Sequence, residues 1–244
     1  MSSASDAEHA EHVRMIGLLL HKAVGAWRDG GLREVWQRAA GYLRGQAIDR
    51  AFDANRGTDT SEDVPLWKLH IAWPNAKFGT RYQAAEEREI KASVRFLDED
   101  LTQFTFVDLG CGKGRTLLVA AEMGFKQAIG VEFAPELVAI ARANLEKTGT
   151  QNARLVESDA ADFEFPPGKL VVFLYNPFGE PVMRPVIANL ARAARDDLYV
   201  VYQMPKCAAL FDQAGFLENI GGPPGFDKIR VWRSRQGAAA TNSG

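Results

Sequence analysis

The chain has 244 residues, 46% of them hydrophobic and 25% charged, with a formal net charge of −2. That is the composition of a globular protein able to bury a sizeable core, and the near-zero charge provides no overall basic field for nucleic acid. Two cysteines, Cys111 and Cys207, are too few for a disulfide framework and point to a reducing compartment, the cytoplasm.

The first residues, 1–12, are small and polar and read as a disordered N-terminus. The apolar run Met15 to Leu20 is stopped by His21 and Lys22, far short of the roughly 20 apolar residues of a transmembrane helix, and no secretory signal is apparent. Between Val13 and Arg56, Leu18, Val24, Trp27, Leu32, Val35, Trp36, Ala39, Tyr42 and Leu43 recur at near-helical spacing. Gly30-Gly31 divides this stretch into two helices. Eight cations, Arg14, Lys22, Arg28, Arg33, Arg38, Arg44, Arg50 and Arg56, lie between the apolar positions. Two readings stay open. One is a solvated face on helices that cap the following domain or pair in a homodimer; the other is a basic amphipathic face for peripheral membrane contact or an acidic partner.

From Arg56 to Tyr82 little regular structure is expected. The aromatics Trp67, Trp73, Phe78 and Tyr82 in such a stretch mark either a segment folded over a pocket or ordinary packing. A helix follows at Ala85 to Leu97. Strands are then expected at Phe104 to Leu109, Ala128 to Glu132, Arg154 to Glu157, Leu170 to Tyr175 and Leu198 to Tyr202. Helices alternate with them at Arg115 onward, Pro135 to Glu146, Met183 to Ala194 and Cys207 to Ala214. Two short strands, Phe216 to Ile220 and Lys228 to Arg233, close the series without a helix between them. Alternating βα units require a mostly parallel sheet with helices on both faces. The fold class is therefore α/β, a doubly wound, mostly parallel seven-stranded sheet with an N-terminal helical extension. Residues 13–82 form the extension and covering segment, 83–235 the α/β domain, and 236–244 a disordered tail.

The densest signal is Val107-Asp108-Leu109-Gly110-Cys111-Gly112-Lys113-Gly114, between the first strand and the helix at Arg115. Glycines let the backbone turn tightly and approach a ligand closely, and the free N–H groups of the helix start face the turn. A dinucleotide fingerprint needs G-x-G-x-x-G; here the last position is Arg115, and the third glycine comes one residue early, at Gly114. Glu132, at the end of the second strand, lies about where an acid reaches ribose hydroxyls, roughly 20 residues beyond the turn. The third strand ends in Ser158-Asp159-Ala160, and the fourth in Tyr175-Asn176-Pro177-Phe178.

Asp-x-Gly-x-Gly-x-Gly, with these acids in this order, resembles the class I S-adenosylmethionine-dependent methyltransferases of bacteria. The resemblance runs from about Tyr82 to Arg233. It implies S-adenosyl-L-methionine as cofactor: Asp108 near its methionine moiety, Gly110, Gly112 and Gly114 against it, Glu132 on the ribose, and Asp159 with Ala160 at the adenine. Asn176 stands where that family places catalytic or amine-orienting groups, in contact with substrate or cofactor. Asn-Pro-Phe departs from the Asn-Pro-Pro-Tyr type found in amino-group methyltransferases, with Phe178 at the second proline and Gly179 at the aromatic. An amine is thus one acceptor among several, protein or small molecule, and the acceptor is not named by the sequence.

Tyr82 is a second candidate catalytic residue, ahead of the domain in a segment that in this family closes over the cofactor. Tyr175 and Glu180 are further candidates, although an acid at a helix start is also simply favoured by the helix dipole. His9, His12, His21 and His70 show no ligand spacing with cysteine or carboxylate, so no metal site is expected. Cys111 reads as a small residue in a tight turn, with no paired histidine. Gly-x-Ser-x-Gly is absent, leaving hydrolase chemistry unsupported. A non-catalytic scaffold that binds the cofactor and works through its N-terminal helices is the alternative to an enzyme, and a nicotinamide-dependent oxidoreductase is disfavoured by the glycine spacing.

Overall fold

The computed structural model describes residues 31–235 except 32, 34, 35, 38, 42, 65–68, 70–73, 80–81 and 194–196. The expectations for residues 1–30, for His70, Trp67 and Trp73, and for the tail lie outside the described residues. The chain divides into two compact units, Met1–Ala51 and Phe52–Gly244. In the first, residues 43–51 are helical, and Trp36, Leu43 and Ile48 are exposed.

The second unit is built on one seven-stranded sheet. Its elements are α1 (Glu87–Arg95), β1 (Phe104–Leu109), α2 (Arg115–Glu122), β2 (Gln127–Glu132), α3 (Pro135–Lys147), β3 (Ala153–Glu157), β4 (Lys169–Tyr175), α4 (Glu180–Ala193), β5 (Leu198–Gln203), α5 (Ala208–Asp212), β6 (Leu217–Gly221) and β7 (Ile229–Ser234). The strand order is β3-β2-β1-β4-β5-β7-β6. The first five strands in sequence run parallel, and β7 is antiparallel to both β5 and β6. This is the doubly wound, mostly parallel sheet expected from the alternating elements. Strands covered on both faces read as continuous apolar runs, and β1, β4 and β5 do so: Phe106, Val107, Leu109, Val171 to Leu174 and Val200 to Tyr202 are fully buried.

Two apolar clusters sandwich the sheet. Ile90 and Val94 of α1, with Leu117 and Leu118 of α2, pack against Phe106, Phe173 and Val201 on one face. Val182, Met183, Val186 and Leu190 of α4, with Phe211 of α5, pack against Leu109, Val172, Leu174 and Trp232 on the other. The order reverses between β1 and β4, and such a switch point leaves a crevice outside the carboxyl ends of the strands.

Most element ends shift by one or two residues from the sequence reading, β5 reaching Gln203, and three differences are larger or new. Helix α4 begins at Glu180 rather than Met183, because Pro181 suits a first helical turn, where its missing N–H is not needed. Helix α5 is confined to Ala208–Asp212. The connector contains a 3-10 turn, Pro74–Phe78, and two isolated bridges, Val64 with Tyr82 and Gly79 with Phe178. The second bridge, with the Gly179 N–H donating to the Phe78 carbonyl at 2.9 Å, lays this segment across the end of β4.

Candidate functional site

The site begins with the way β1 ends. Leu109 pairs with Val131 of β2 and Leu174 of β4, and the Gly110 and Cys111 N–H groups then donate to the Val131 carbonyl at 2.8 and 3.1 Å. The chain folds back over β2 through Gly110, Gly112 and Gly114, all left-handed, at φ of 82°, 53° and 83°. Gly114 is the residue preceding α2. Two of the three glycines are also required by space. A Cβ on Gly112 would stand 2.1 Å from the Tyr82 ring, and one on Gly110 would stand 2.8 Å from the Pro177 Cβ. The turn is therefore packed between the connector on one side and the end of β4 on the other.

Glu132 closes the end of β2 and is 4% exposed. Its Oε2 accepts the Gly112 N–H at 2.9 Å, and its Oε1 accepts the Phe133 and Ala134 N–H groups, each at 3.0 Å. Burial pushes its pKa up, and the three backbone bonds oppose that rise. Asp108 lies one strand over and is also buried. It accepts the Thr116 hydroxyl. Burial raises its pKa to about 7, with the nearby Glu132 charge adding to the rise. Asp159 precedes a 3-10 turn; its Oδ1 accepts the Ala161 N–H at 2.9 Å and its Oδ2 accepts the Asn75 amide at 2.8 Å.

These acids face one crevice with two lobes. The larger, an open cleft, is lined among others by Tyr82, Asp108, Gly110, Arg115, Glu132, Tyr175 and Pro177. The smaller is lined by Asn75, Gly110, Glu132, Asp159, Ala160, Pro177, Phe178 and others. Gly110, Glu132, Phe133 and Pro177 belong to both, so Glu132 stands at the waist. The structure thus brings Asp108, Gly110, Glu132, Asp159, Ala160 and Tyr82 to the crevice. Gly112 and Gly114 shape the turn behind it. Asn176 follows β4 between the lining residues Tyr175 and Pro177, in the left-handed region at φ 42°, a conformation asparagine adopts more readily than most residues. Glu180 instead forms an exposed ion pair with Arg184 on the surface of α4, Nε to Oε1 at 2.9 Å.

Several participants were not marked by the sequence reading. The Asp53 carboxylate accepts bonds from Thr58, Thr60 and Ser61. Their combined effect lowers its pKa, although burial, the largest single influence, raises it. The Thr60 segment so ordered accepts Arg115 Nε on its hydroxyl and the Tyr82 hydroxyl on its carbonyl, both at 2.8 Å. Beside it, Asp59 pairs with buried Lys113 at 2.8 Å, and its backbone exchanges two bonds with the Asn144 side chain. This clamp holds Tyr82 over Gly112. Partners 55 and 85 residues apart in sequence leave no local pattern by which to find them; Arg115 was noticed only as the residue standing where a dinucleotide turn needs glycine. Among the described residues no group of three or more histidine, cysteine, aspartate or glutamate side chains could hold a metal ion, and no helix is long and apolar enough to cross a membrane.

Residues 106–197 match a family model described as a methyltransferase domain. The chain is 32% identical over 114 residues to a ribosomal protein L11 methyltransferase of Clostridium botulinum, covering 43% of this chain and 36% of that one. It is 32% identical over 122 residues to a ribosomal protein L11 methyltransferase of Deinococcus radiodurans, covering 47% and 44%. The match thus spans about a third to under half the length of these curated relatives. Among solved structures it is similar to a magnesium protoporphyrin IX methyltransferase of Synechocystis, with a TM-score of 0.48 at 16% identity over 61% of this chain and 78% of that one.

Proposed function

We propose, from the match of residues 106–197 to a methyltransferase domain, that the chain is a class I S-adenosylmethionine-dependent methyltransferase acting on an amine of a protein acceptor. The observation that carries this reading is the buried Glu132 carboxylate at the waist of a two-lobed crevice. Its Oε1 accepts two backbone N–H groups and its Oε2 one, so Oε2 keeps lone-pair capacity for a further donor. A ribose hydroxyl is such a donor. Asp159 and Ala160 sit in the smaller lobe, where an adenine amino group would meet the acid, and Asp108 sits in the larger lobe, where a ligand ammonium would meet it. The buried acids and the glycine cradle fit the cofactor on both charge and shape.

When bound, the cofactor supplies an electrophilic sulfonium methyl. The task of the protein is alignment and exclusion of water. In this reading Asn176 accepts a hydrogen bond from the acceptor amine and leaves its lone pair toward the methyl. The Tyr82 hydroxyl proton is engaged by the Thr60 carbonyl, so in this reading Tyr82 walls the cleft over Gly112 instead of taking a proton. The segment 13–82 serves as helical extension and cofactor cover, with 83–235 as the catalytic domain; its helices serve a homodimer or peripheral contact, and the compartment is the cytoplasm. Two features favour an amine on a protein: the Asn176 carbonyl at the end of β4, and the ribosomal protein named by the relatives.

Calorimetric titration of the full chain with S-adenosylhomocysteine tests the reading. Micromolar binding, roughly −8 kcal/mol, is expected, weakened at least 100-fold in Glu132→Ala. Absence of binding to the wild type, or binding of NADH in its place, would overturn it. Binding without formation of S-adenosylhomocysteine from S-adenosylmethionine in the presence of protein acceptors would favour the scaffold.

A further inference from the structure

The carboxyl end of β5 holds a polar group the reading above does not use. Gln203 is the last residue of β5 and is 1% exposed. Neither its side-chain nitrogen nor its side-chain oxygen has a hydrogen-bond partner among the described residues. A buried amide left so is costly, about 1–3 kcal/mol for each unsatisfied group, and such groups are rare in native interiors. Its position is informative. Gln203 lies in register with Tyr175 of β4 on one side and Ile229 of β7 on the other. By strand alternation its side chain shares a face with Val201 and Tyr199, the face on which Tyr175 borders the larger lobe. The orphaned amide therefore lies one strand beyond Tyr175, on the side of the crevice away from Asp159.

The strand ends here abruptly. Met204 is in the left-handed region at φ 50° and is 41% exposed, with its N–H donating to the Lys228 carbonyl at 2.7 Å. Apolar Ile229 and Phe226 lie nearby on the same face, so no protein donor or acceptor is available to Gln203 from β7. A partner for this amide, a buried water or a ligand group, would come from outside the described side chains.

We infer that Gln203 is a specificity-determining residue for the methyl acceptor, its side-chain amide pairing with a peptide-type amide of the acceptor next to the reacting amine. This rests on the methyltransferase reading. A glutamine amide offers one carbonyl and one NH2 group, so a ligand that presents both an N–H and a C=O, as a polypeptide does, can satisfy both at once, whereas an ammonium offers donors alone. Tyr175 is half-buried, pairs in register with Gln203 and borders the larger lobe, so it is the side chain that would have to turn aside to admit the acceptor. Asn176 then meets the amine from the end of β4 while Gln203 holds the backbone that carries it from the end of β5.

The test uses the full chain saturated with S-adenosylhomocysteine and labelled with 15N. The Gln203 side-chain amide pair is identified as the one missing from Gln203→Met. Nα-acetyl-lysine N-methylamide, which carries an amine and two peptide groups, is expected to shift that pair, whereas n-butylamine at equal concentration leaves it in place. Gln203→Met is expected to bind S-adenosylhomocysteine within twofold of wild type. It should also unfold at a higher temperature, as loss of a buried amide with both polar groups unsatisfied implies. An amide pair that answers neither probe, or both alike, would overturn the inference and leave Gln203 as the seat of a buried water. A Gln203→Met protein with lowered melting temperature would overturn it too, by showing that the amide is satisfied in the free protein. Failure of the wild type to bind S-adenosylhomocysteine is a separate result that strikes the methyltransferase reading itself.

Discussion

The two halves of the crevice differ in how completely their polar groups are satisfied. On the β1–β2–β3 side, Glu132 accepts three backbone bonds, Asp159 accepts two bonds and Asp108 accepts a hydroxyl. The backbone there turns at glycines. On the β4–β5 side the chain turns at Asn176 and Met204, both non-glycine residues in the left-handed region, and Gln203 is left without a partner. The first half is preorganised, as suits a ligand that never varies. The second keeps backbone strain and unmet hydrogen bonding in reserve, as suits a ligand that completes the site on arrival.

The contrast breaks most severely at the glycine turn. Gly112→Ala adds a Cβ at positive φ into the Tyr82 ring, and is expected to cost about 3 kcal/mol, a fall of roughly 6–12 °C in melting temperature. Thermal melts with and without S-adenosylhomocysteine read both the loss and the damaged site. Next comes Asp108, whose folded pKa of about 7 lies above the ordinary aspartate value of 3.8. The folded state holds this proton more tightly than the unfolded one, so ionisation costs stability. The cost accrues as pH rises from about 4 to 7 and is complete above 7. Denaturant melts across that range should show stability falling with pH, and a shallower fall in Asp108→Asn. Affinity for S-adenosylhomocysteine should run the other way, rising toward neutral pH as the ionised acid meets the ligand ammonium.

On the other side, Asn176→Ala should lower turnover by about tenfold while changing the S-adenosylhomocysteine dissociation constant less than twofold, as separate kinetic and calorimetric measurements would show. Equal losses in both would place Asn176 with the cofactor. The smallest effect is expected at Glu180. Its pair with Arg184 is exposed, and Glu180→Ala should change stability by less than about 0.5 kcal/mol and leave turnover unaltered.

The preorganised half was the legible one, because its chemistry is local. Asp108, the glycines and Arg115 are consecutive, and Glu132 follows within one βα unit. The sheet was legible for a similar reason, since apolar runs alternate with amphipathic ones at short, regular intervals. The β4–β5 half was less legible. The strand Leu198 to Tyr202 was ended before Gln203 because a polar residue after an apolar run looks like the start of a loop, yet β5 carries it inside. Its burial depends on β4 and β7, which arrive from elsewhere in the chain. The Asp53–Thr60 clamp was hidden likewise, in a stretch whose polar composition resembles any surface loop.

Cys111 gives the turn a further property. Gly130 has no room for a Cβ, which would lie 2.6 Å from the Cys111 sulfur. Burial, with the Glu132 and Asp108 charges behind it, raises the thiol pKa well above its usual value. Alkylating reagents and peroxide act on the thiolate, so in the closed protein this sulfur is chemically silent. It becomes reactive only in the fraction of molecules whose turn has opened. Labelling in a Cys207→Ser background would therefore run as a stopwatch on that opening, slowed by whatever occupies the crevice.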